Sequence, residues 1–230
     1  MQIQRHNQIM SIIREQKEIS VKELCALLYQ SPATIRRDLS ALEKQGLIKR
    51  SYGGAVLTEI FSDRLPLAIR SAKNIAAKKR ICAKAAKLIE NGDTVFIDAS
   101  STAYFLAPHL KSFSDLTVIT NNPHLCIYLS ELKIRNHCTG GEMLEDSLSL
   151  VGCDAERMVS GILANKCFFS ARGYNDSFIS DTSKSERDLK IAMLDHADKC
   201  YFLCDSSKRN TKYPYIIADI KKIDGIIDEE

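Results

Sequence analysis

Hydrophobic positions between residues 20 and 30 recur at the helical period. Ser20-Val21-Lys22-Glu23 has the form of a capping box, in which the serine hydroxyl accepts from the third free amide and the glutamate reaches back to the serine amide. The apolar stripe of the helix that follows consists of Val21, Leu24, Leu27 and Leu28. The pattern predicts a helix that begins after Ser20 and ends at a short turn, Tyr29-Gln30.

A second helix is predicted directly after this turn. Ser31 suits the N-cap, and Pro32 suits the first helical position, where its missing amide donor costs nothing. Gly46 suits a left-handed C-terminal cap. The residues predicted to face the core are Ile35, Leu39 and Leu42, and those predicted to face outward near the helix start are Thr34, Arg36 and Arg37. Two short helices joined by a tight turn predict a helix-turn-helix, whose second helix enters the major groove of DNA.

The outward face of this second helix has the chemistry that DNA binding needs. Arginine forks bond guanine edges or clamp phosphates, and hydroxyls and free amides at a helix start favour phosphate oxygens. An arginine pair alone is typical of any solvated helix face. Here the pair lies one turn into a doubly capped helix, and a second basic element follows it. The predicted DNA contacts on this helix are therefore Ser31, Thr34, Arg36 and Arg37.

A β-hairpin is predicted after the second helix. Leu47-Ile48-Lys49-Arg50 indicates a strand, Ser51-Tyr52-Gly53-Gly54 a turn, and Ala55-Val56-Leu57 a return strand. Such a hairpin is a wing, and its predicted contacts with the DNA backbone or minor groove are Lys49, Arg50 and Tyr52. An amphipathic helix ending near residue 17 precedes the two helices, with Ile3, Ile9, Ile12 and Ile13 on its apolar face. Residues 1–57 are therefore predicted to form a winged helix-turn-helix domain.

Short apolar runs and helical stretches alternate in the remainder of the chain. Residues 58–72 have little periodicity and contain Pro66, which predicts a linker, and residues 73–230 follow as a second domain. A helix is predicted over residues 75–90, with its lysines facing outward. The predicted strands are residues 94–98, 116–120, 134–139, 166–171 and 200–204, and the predicted helices between them are residues 103–110, 123–132, 154–163 and 185–197. This alternation predicts a layered α/β domain with a mostly parallel sheet covered on both faces.

Polar residues follow each of the five predicted strands. Ligands of such folds bind beyond the carboxyl ends of the strands, and small hydroxyl residues at a helix start suit a phosphate. One such loop alone would be typical of a plain N-cap turn, whereas five converging loops indicate a polar pocket for a small anion. The predicted effector-binding residues are Asp98, Ser100, Ser101, Thr102, Thr120, Asn121, Gly140, Gly141, Gly173 and Lys208.

Charge and composition agree with these two roles. Residues 1–57 hold nine basic and five acidic side chains, a formal charge of +4, while the whole chain carries +3, so the excess positive charge lies on the predicted DNA-binding domain. The eight cysteines include no C-x-x-C pair and are expected to be reduced, mostly buried thiols. With no apolar run that could span a bilayer, no apolar signal segment and no metal-ligand spacing of histidines, we expect a cytoplasmic protein without metal or cofactor.

The sequence resembles the DeoR-type family of bacterial sugar-metabolism regulators over essentially its whole length. Its most specific motif is Thr34-Ile35-Arg36-Arg37-Asp38-Leu39. The other matching pieces, collinear with the family pattern, are Gly46-Leu47-Ile48-Lys49-Arg50, Gly53-Gly54-Ala55, Gly92-Asp93-Thr94, Asp98 with Ser101-Thr102, Thr120-Asn121, Gly140-Gly141, Gly152 and Asp205-Ser206-Ser207-Lys208. The resemblance implies a winged-helix repressor of carbohydrate-metabolism genes whose second domain is similar to ribose-5-phosphate isomerase. It also implies three partners: a double-stranded DNA operator, a phosphorylated sugar or related metabolite, and further copies of the chain in a homodimer or homotetramer.

Three features depart from the family pattern. Tyr52 stands where relatives have a histidine before Gly-Gly-Ala, which bears on the wing contact. Ala99 replaces the glycine that usually follows the first-strand aspartate, which bears on the shape of the pocket. The chain stops at Glu230, where relatives usually continue, so the last strand and helix are expected to be short or missing.

Two other interpretations are open at the level of sequence. The first is a sugar-phosphate isomerase with a fused DNA-binding module, which would need a base beside the phosphate to move a proton between adjacent carbons. The candidate bases are Asp98, Glu186, Asp188 and Lys208. The additional acidic and lysine motifs of the isomerases are not visible, so we expect no catalytic residue. The second, a DNA-binding structural protein without a sensor, gives the clustered polar residues at the strand ends no purpose.

Overall fold

A computed structural model of the chain describes residues 2–16, 18–44, 48–57 and 67–230. It contains two compact units, Met1–Leu65 and Pro66–Glu230, which we call the N-terminal unit and the C-terminal unit. No helix among the described residues is long and apolar enough to cross a membrane.

The N-terminal unit consists of three helices and a three-stranded antiparallel sheet. The helices are α1 (Gln2–Gln16), α2 (Val21–Leu28) and α3 (Pro32–Lys44), and the strands are β1 (Glu18–Ser20), β2 (Ile48–Ser51) and β3 (Gly54–Leu57). The strand order is β1-β3-β2, so the hairpin β2–β3 is the predicted wing and β1 is a third strand that the sequence pattern did not predict. This is the predicted winged-helix architecture.

The boundary signals of α2 act as the sequence predicts. Ser20 Oγ accepts from the Glu23 amide at 3.2 Å, and the Glu23 carboxylate accepts from the Ser20 amide at 2.9 Å. The predicted apolar stripe is shorter than expected, because Val21 and Leu24 are buried whereas Leu27 is 52% exposed. The predicted cap Gly46 and the predicted strand residue Leu47 lie outside the described residues.

Two glycines shape the wing and its attachment to β1. Gly53 lies in the turn with φ +85°, a conformation that favours glycine. A Cβ atom on Gly54 would lie 2.3 Å from the carbonyl oxygen of Ile19, so only glycine permits the pairing of β3 with β1. The wing is therefore fixed by backbone contacts to the strand that precedes α2.

A buried carboxylate on α3 ties this helix to α1. Asp38 is 1% exposed, and its carboxylate accepts from Arg5 Nε at 2.5 Å and lies 3.1 Å from His6 Nε2. Burial alone would raise the pKa of Asp38, but the hydrogen bonds and charge of Arg5 and His6 hold it below its ordinary value. Asp38 thus belongs to the interior of the unit, while its neighbours Arg36 and Arg37 are exposed.

The C-terminal unit is built around a six-stranded parallel sheet. Its elements are α4 (Leu67–Ala72), α5 (Ile75–Ala86), β4 (Thr94–Ile97), α6 (Ala107–Leu110), β5 (Thr117–Thr120), α7 (Pro123–Glu131), β6 (Arg135–Cys138), β7 (Glu142–Met143), β8 (Leu150–Val151), α8 (Cys153–Ser160), β9 (Ala164–Phe169), β10 (Gly173–Tyr174), β11 (Phe178–Asp181), α9 (Lys184–Asp195), β12 (Ala197–Leu203), β13 (Tyr215–Asp219) and β14 (Gly225–Ile227). The sheet order is β14-β12-β9-β4-β5-β6, and every neighbouring pair is parallel. This confirms the predicted parallel α/β fold. The five predicted strands are β4, β5, β6, β9 and β12.

Two hydrophobic cores cover the faces of this sheet. Successive residues of β9 alternate between them: Phe168 joins the core beneath α5, α6 and α7, whereas Cys167 and Phe169 join the core beneath α8 and α9. This is the period-2 alternation of a strand that is buried on both sides. Two small antiparallel sheets, β10-β11-β13 and β7-β8, were not predicted.

The described part of the predicted linker and the first helix of the C-terminal unit differ from the expectation. Residues 67–72 form the helix α4, whose first amide donates to the Asp146 carbonyl at 3.0 Å, while residues 58–66 lie outside the described residues. On α5, Lys78 is only 4% exposed, so the prediction that the lysines of this helix face outward is wrong for that residue.

The eight cysteines form no disulfides; four of them are buried, and Cys138 and Cys153 are exposed.

Replacing Asp38 by asparagine tests the attachment of α3 to α1. We expect Asp38→Asn to lower the free energy of unfolding at neutral pH by about 1–3 kcal/mol, since a charged hydrogen bond in the interior is lost. Because the folded pKa lies below the unfolded value of about 4, the stabilisation is complete above that value and is lost as the pH falls through the folded pKa. Urea denaturation followed by circular dichroism should show wild type and variant converging in acid.

The matched control is Asp154→Asn. That carboxylate is 71% exposed and pairs with Arg157 on the surface of α8, so its loss should change stability by less than about 0.5 kcal/mol. Equal effects of the two substitutions, or an Asp38→Asn effect independent of pH, would contradict the assignment.

Candidate functional site

The predicted DNA-contacting residues of α3 lie on its exposed N-terminal half. Ser31 Oγ accepts from the Thr34 amide at 3.2 Å, and the two hydroxyl oxygens are 2.9 Å apart, which confirms that serine caps the helix. Arg36 and Arg37 follow on the same turn and are exposed. The fold therefore leaves both guanidinium groups available to a partner.

The wing residues divide into two kinds. Lys49 is exposed, and Tyr52 is fully exposed at the tip of the hairpin. Arg50 is instead half-buried: its guanidinium donates to Ser40 Oγ at 3.1 Å, and its amide donates to Glu43 at 2.9 Å. Both partners lie on α3, so Arg50 links the wing to the recognition helix.

The loops after β4, β9 and β12 are joined by a chain of polar contacts. Lys208 Nζ donates to Ser170 Oγ at 2.6 Å, the Ser170 hydroxyl donates to the Leu203 carbonyl at 2.5 Å, and the Ser170 amide donates to Asp98 Oδ1 at 3.3 Å. Asp98 and Ser170 are each 1% exposed. Asp98 and Lys208, which the sequence predicted, are thus brought to one place by a serine that it did not predict.

A buried lysine from α5 joins the loop after β4. Lys78 Nζ donates to Ser101 Oγ at 3.1 Å and to the Arg70 carbonyl. Burial and the nearby Lys208 ammonium lower the pKa of Lys78 to about 8, and burial also lowers the pKa of Lys208. Both ammonium groups therefore lie where their positive charge is incompletely compensated.

Two further groups in this loop are buried. Ser100 Oγ accepts from the Ala103 amide at 3.1 Å and so shapes the turn. Among the described residues, Thr102 Oγ1 and Asp98 Oδ2 are buried without a hydrogen-bond partner. An unpaired polar atom in the interior is costly, so such atoms indicate a place where another molecule can bond. Burial raises the pKa of Asp98.

A cluster of buried charges adjoins these loops. Lys190 of α9 lies between two carboxylates, with Nζ 2.8 Å from Asp181 Oδ2 and 3.6 Å from Asp98 Oδ2. Burial opposes the charge of Lys190, but Asp181, Glu186 and Asp98 outweigh it and raise the lysine pKa. Arg172 Nε completes the cluster 3.9 Å from Asp181 Oδ1. The candidate base Asp188 is absent from it, because that carboxylate pairs with Lys184 and Arg187 on the helix surface.

The remaining predicted residues contact the protein itself. Asn121 uses both ends of its amide, since Oδ1 accepts from the Ala99 amide at 2.8 Å and Nδ2 donates to the Leu150 carbonyl at 3.0 Å. Thr120 Oγ1 accepts from the Asn122 amide at 3.1 Å. Asn121 therefore positions the loop after β4 and the hairpin β7–β8, while Thr120 shapes the turn after β5.

Three predicted glycines are needed for close approach or for turn geometry. Gly141 has φ +104°, and a Cβ atom there would lie 2.4 Å from the Val151 carbonyl oxygen. A Cβ atom on Gly173 would lie 2.1 Å from Thr211 Oγ1. Gly140, with φ +69°, and Gly141 follow the edge strand β6, which β5 separates from β4.

Sequence reasoning missed Lys78, Ser170 and Lys190, although two of them carried a signal. Lys78 precedes Ile81, Cys82 and Ala85 at helical spacing and so lies within the apolar stripe of α5. Lys190 likewise precedes the buried Met193 by three residues. A lysine on the apolar face of a helix indicates a buried cation with a partner elsewhere in the fold.

Family models match both units. The DeoR-like helix-turn-helix domain matches residues 5–61, and the DeoR C-terminal sensor domain matches residues 73–230. The chain belongs to the DeoR family of transcriptional regulators. It is therefore a DNA-binding regulator with a sensor domain, as the sequence predicted.

Similar proteins support this assignment over the whole chain. The uncharacterized HTH-type transcriptional regulator YulB of Bacillus subtilis is 35% identical over 98% of this chain and 88% of its own length. The HTH-type transcriptional regulator GolR of Listeria innocua is 35% identical over 98% of this chain and 90% of its own length. The lactose phosphotransferase system repressor of Staphylococcus epidermidis is 30% identical over 98% and 91%. All three are named as regulators rather than as enzymes, which confirms the prediction that the chain is not an enzyme.

Solved structures resemble the chain at low sequence identity. Ribose-5-phosphate isomerase A of Methanocaldococcus jannaschii is 14% identical with a TM-score of 0.44, and the likeness covers 60% of this chain and about half, 55%, of the isomerase. The eIF2B delta subunit of Chaetomium thermophilum is 15% identical with a TM-score of 0.50, over 87% of this chain and 64% of that chain.

The depressed pKa of Lys78 predicts a pH dependence of stability. Between about 8 and the ordinary 10.5, the unfolded chain binds more protons at this group than the folded chain, so the contribution of Lys78 to folding rises with pH in that window. We expect the free energy of unfolding of the wild type, minus that of Lys78→Met, to rise from pH 8 to pH 10 in urea denaturation. Lys79→Met, which removes an exposed lysine beside it, should show no such trend. A flat difference for Lys78→Met would show that its ammonium is solvated normally.

Proposed function

We propose that this protein is a repressor of carbohydrate-metabolism genes whose operator affinity falls when a phosphorylated sugar binds at the strand ends of the C-terminal unit. The observation that supports this most directly is the pair of ammonium groups, buried Lys78 and half-buried Lys208, beside the hydroxyls of Ser101 and Ser170. Two cations with depressed pKa values next to small hydroxyl residues form a site that a phosphate dianion would stabilise.

The phosphate is proposed to bind the loop after β4. Hydroxyls and amides of Ser100, Ser101 and Thr102 supply neutral donors, while Lys78, which donates to Ser101, and Lys208, which donates to Ser170, supply charge. Each charge-assisted bond is stronger than a neutral one. Phosphate binding would also raise both lysine pKa values, which recovers part of the cost of burying them.

The sugar hydroxyls are proposed to bind the neighbouring acid. Asp98 Oδ2 is buried with no hydrogen bond among the described residues, although Lys190 Nζ lies 3.6 Å away, and a carboxylate oxygen is a good acceptor for a hydroxyl. The named role of one relative, repression of a lactose phosphotransferase system, supports a ligand of the phosphorylated-sugar class. Thr120, Asn121, Gly140, Gly141 and Gly173 then act by shaping the loops around the ligand.

On the DNA side, the proposed contacts are those predicted from sequence except Arg50, whose guanidinium donates to Ser40 of α3. Ser31, Thr34, Arg36 and Arg37 present donors from the start of α3, while Lys49 and Tyr52 present them from the wing. A homodimer or homotetramer would place one recognition helix in each half-site of a repeated or inverted operator.

The effector must favour one arrangement of the two units over another, since a ligand that binds both arrangements equally does not shift the equilibrium between them. The proposed linker, residues 58–72, would carry this change.

A thermal-shift series with pentose and hexose phosphates tests the sensor. A ligand that binds only the native state raises its melting temperature, so at least one sugar phosphate should stabilise the wild type. Lys208→Met should lose most of that stabilisation, because it removes a half-buried cation from the site. Lys212→Met, which removes an exposed lysine four residues later, is the matched control. Equal responses of the two variants would place the ligand elsewhere.

Operator binding tests the assignment of α3. Arg37→Ala should weaken specific binding by roughly 1–3 kcal/mol if the guanidinium contacts a base, and it should reduce the salt dependence if it contacts a phosphate. The measurement is fluorescence anisotropy with the operator at several salt concentrations. Arg80→Ala removes the same charge from an exposed position on α5 and should leave binding unchanged. An unaltered affinity in Arg37→Ala would remove that side chain from the proposed interface.

A further inference from the structure

Ser170, directly after β9, lies between two groups of the proposed effector site. Its hydroxyl accepts from Lys208 Nζ at 2.6 Å and donates to the Leu203 carbonyl at 2.5 Å. Its amide donates to Asp98 Oδ1 at 3.3 Å. Because Ser170 is itself 1% exposed, its side chain has little room to turn. One residue of the central sheet thus contacts both the lysine and the acid.

The hydroxyl of Ser170 has no donor left for a ligand. A serine hydroxyl has one donor and two acceptor lone pairs, and here the donor is used by the Leu203 carbonyl. The oxygens of a phosphate dianion only accept hydrogen bonds, so Ser170 Oγ cannot donate to one while this contact lasts. At a phosphate site, the hydroxyl therefore acts through the ammonium of Lys208, and Ser170 is a positioning residue.

Lys208 needs such an anchor because its side chain is long and flexible. An ammonium on a four-carbon stem has many rotamers and three donors. Among the described residues, Ser170 Oγ is the hydrogen-bond acceptor of Lys208 Nζ, whereas Asp205 acts on this ammonium through its charge. With one donor fixed on a buried hydroxyl, the directions of the other two donors are restricted. The contact thus determines where Lys208 presents its remaining donors.

The amide of the same residue orients the acid. Asp98 Oδ1 accepts from the Ser170 amide, whereas Oδ2 forms no hydrogen bond among the described residues and lies 3.6 Å from Lys190 Nζ. Because an amide belongs to the backbone, a substitution of the Ser170 side chain leaves this donor in place. The hydroxyl of Ser170 therefore sets the position of Lys208 relative to an acid that is held independently of it.

We propose that Ser170 determines ligand specificity: by anchoring Lys208 at a set separation from Asp98, it makes the site prefer a phosphorylated sugar to inorganic phosphate. This inference rests on the proposed function of the strand-end site and names what selects its ligand. Inorganic phosphate can follow a displaced ammonium. A sugar phosphate cannot do so without drawing its hydroxyl away from Asp98, so its binding depends more strongly on the anchor.

Ligand binding to Ser170→Ala tests the anchor. The probes are inorganic phosphate and the sugar phosphate that stabilises the wild type most in the series of pentose and hexose phosphates. Affinities are taken from thermal shifts of the full-length protein over a range of ligand concentrations. We expect Ser170→Ala to weaken sugar-phosphate binding about tenfold and inorganic phosphate binding about threefold or less, because a hydrogen bond that orients a charged group is lost.

A double-mutant cycle with Lys208→Met distinguishes positioning from a structural role. If Ser170 acts through Lys208, Ser170→Ala should change sugar-phosphate affinity less than about twofold in the Lys208→Met background. The matched control is Ser180→Ala, which removes another buried hydroxyl of the C-terminal unit, one that accepts from the Tyr213 amide at 3.0 Å. This control should bind both probes as the wild type does.

Two conservative variants supply a rescue. Ser170→Thr keeps the hydroxyl and should stay close to the wild type in affinity and in preference. Ser170→Cys keeps nearly the same volume but offers only a weak acceptor, so it should resemble Ser170→Ala. If Ser170→Ala does not fold, the comparison of Ser170→Thr with Ser170→Cys decides the question. If inorganic phosphate does not stabilise the wild type measurably, the cycle with the sugar phosphate decides it.

The outcomes separate this inference from the site on which it rests. If Ser170→Ala weakens both probes equally, or has the same effect with and without Lys208, the inference is wrong and the effector site stands. The same holds if Ser170→Ala and Ser180→Ala respond alike. If no sugar phosphate stabilises the wild type, the proposed function fails and this inference fails with it.

Discussion

The C-terminal unit depends on how ionised groups are accommodated at the carboxyl ends of the strands of its parallel sheet. Burying an ammonium or guanidinium is unfavourable unless an opposite charge or several hydrogen bonds compensate it. Lys190 meets this requirement through Asp181 and Asp98, and it holds α9 against the loops after β4 and β11. Lys78 donates to a hydroxyl and a carbonyl oxygen and Lys208 donates to a hydroxyl, while the Asp205 carboxylate acts on both through its charge alone. The contrast between Lys190, which is paired with two carboxylates, and the two less compensated lysines supports the proposal that an anion binds at these strand ends.

The same principle operates differently in the N-terminal unit. There the buried carboxylate of Asp38 is paired with Arg5 and His6, so its negative charge is compensated inside the unit. The adjacent arginines Arg36 and Arg37 remain exposed because Asp38 occupies the inward position of that helical turn. The motif of residues 34–39 thus contains both Asp38, which attaches α3 to α1, and the two arginines that α3 exposes.

Much of this organisation was accessible from the sequence, because local signals determine it. The capping box at Ser20 and the serine-proline start of α3 specify helices whose hydrogen bonds lie within a few residues, and each of the five apolar runs marks a strand of the parallel sheet by its own composition. The strands β1, β7, β8 and β10 carry no comparable pattern, because each has only two or three residues. The candidate site was predicted in part for the same reason. Asp98 and Lys208 follow predicted strands, whereas Lys78 and Lys190 lie on the apolar faces of helices, where the spacing signals burial but does not tell which loop each ammonium group contacts.

The contact between Arg50 and α3 has a consequence for how operator specificity can diverge. Because Arg50 attaches the wing to α3 through Ser40 and Glu43, the wing and α3 form one preassembled surface rather than two independent ones. If α3 contacts bases as proposed, exchange of its outward side chains would alter which bases are preferred without loosening the hairpin beside it. Preference for an operator sequence could therefore diverge by few substitutions.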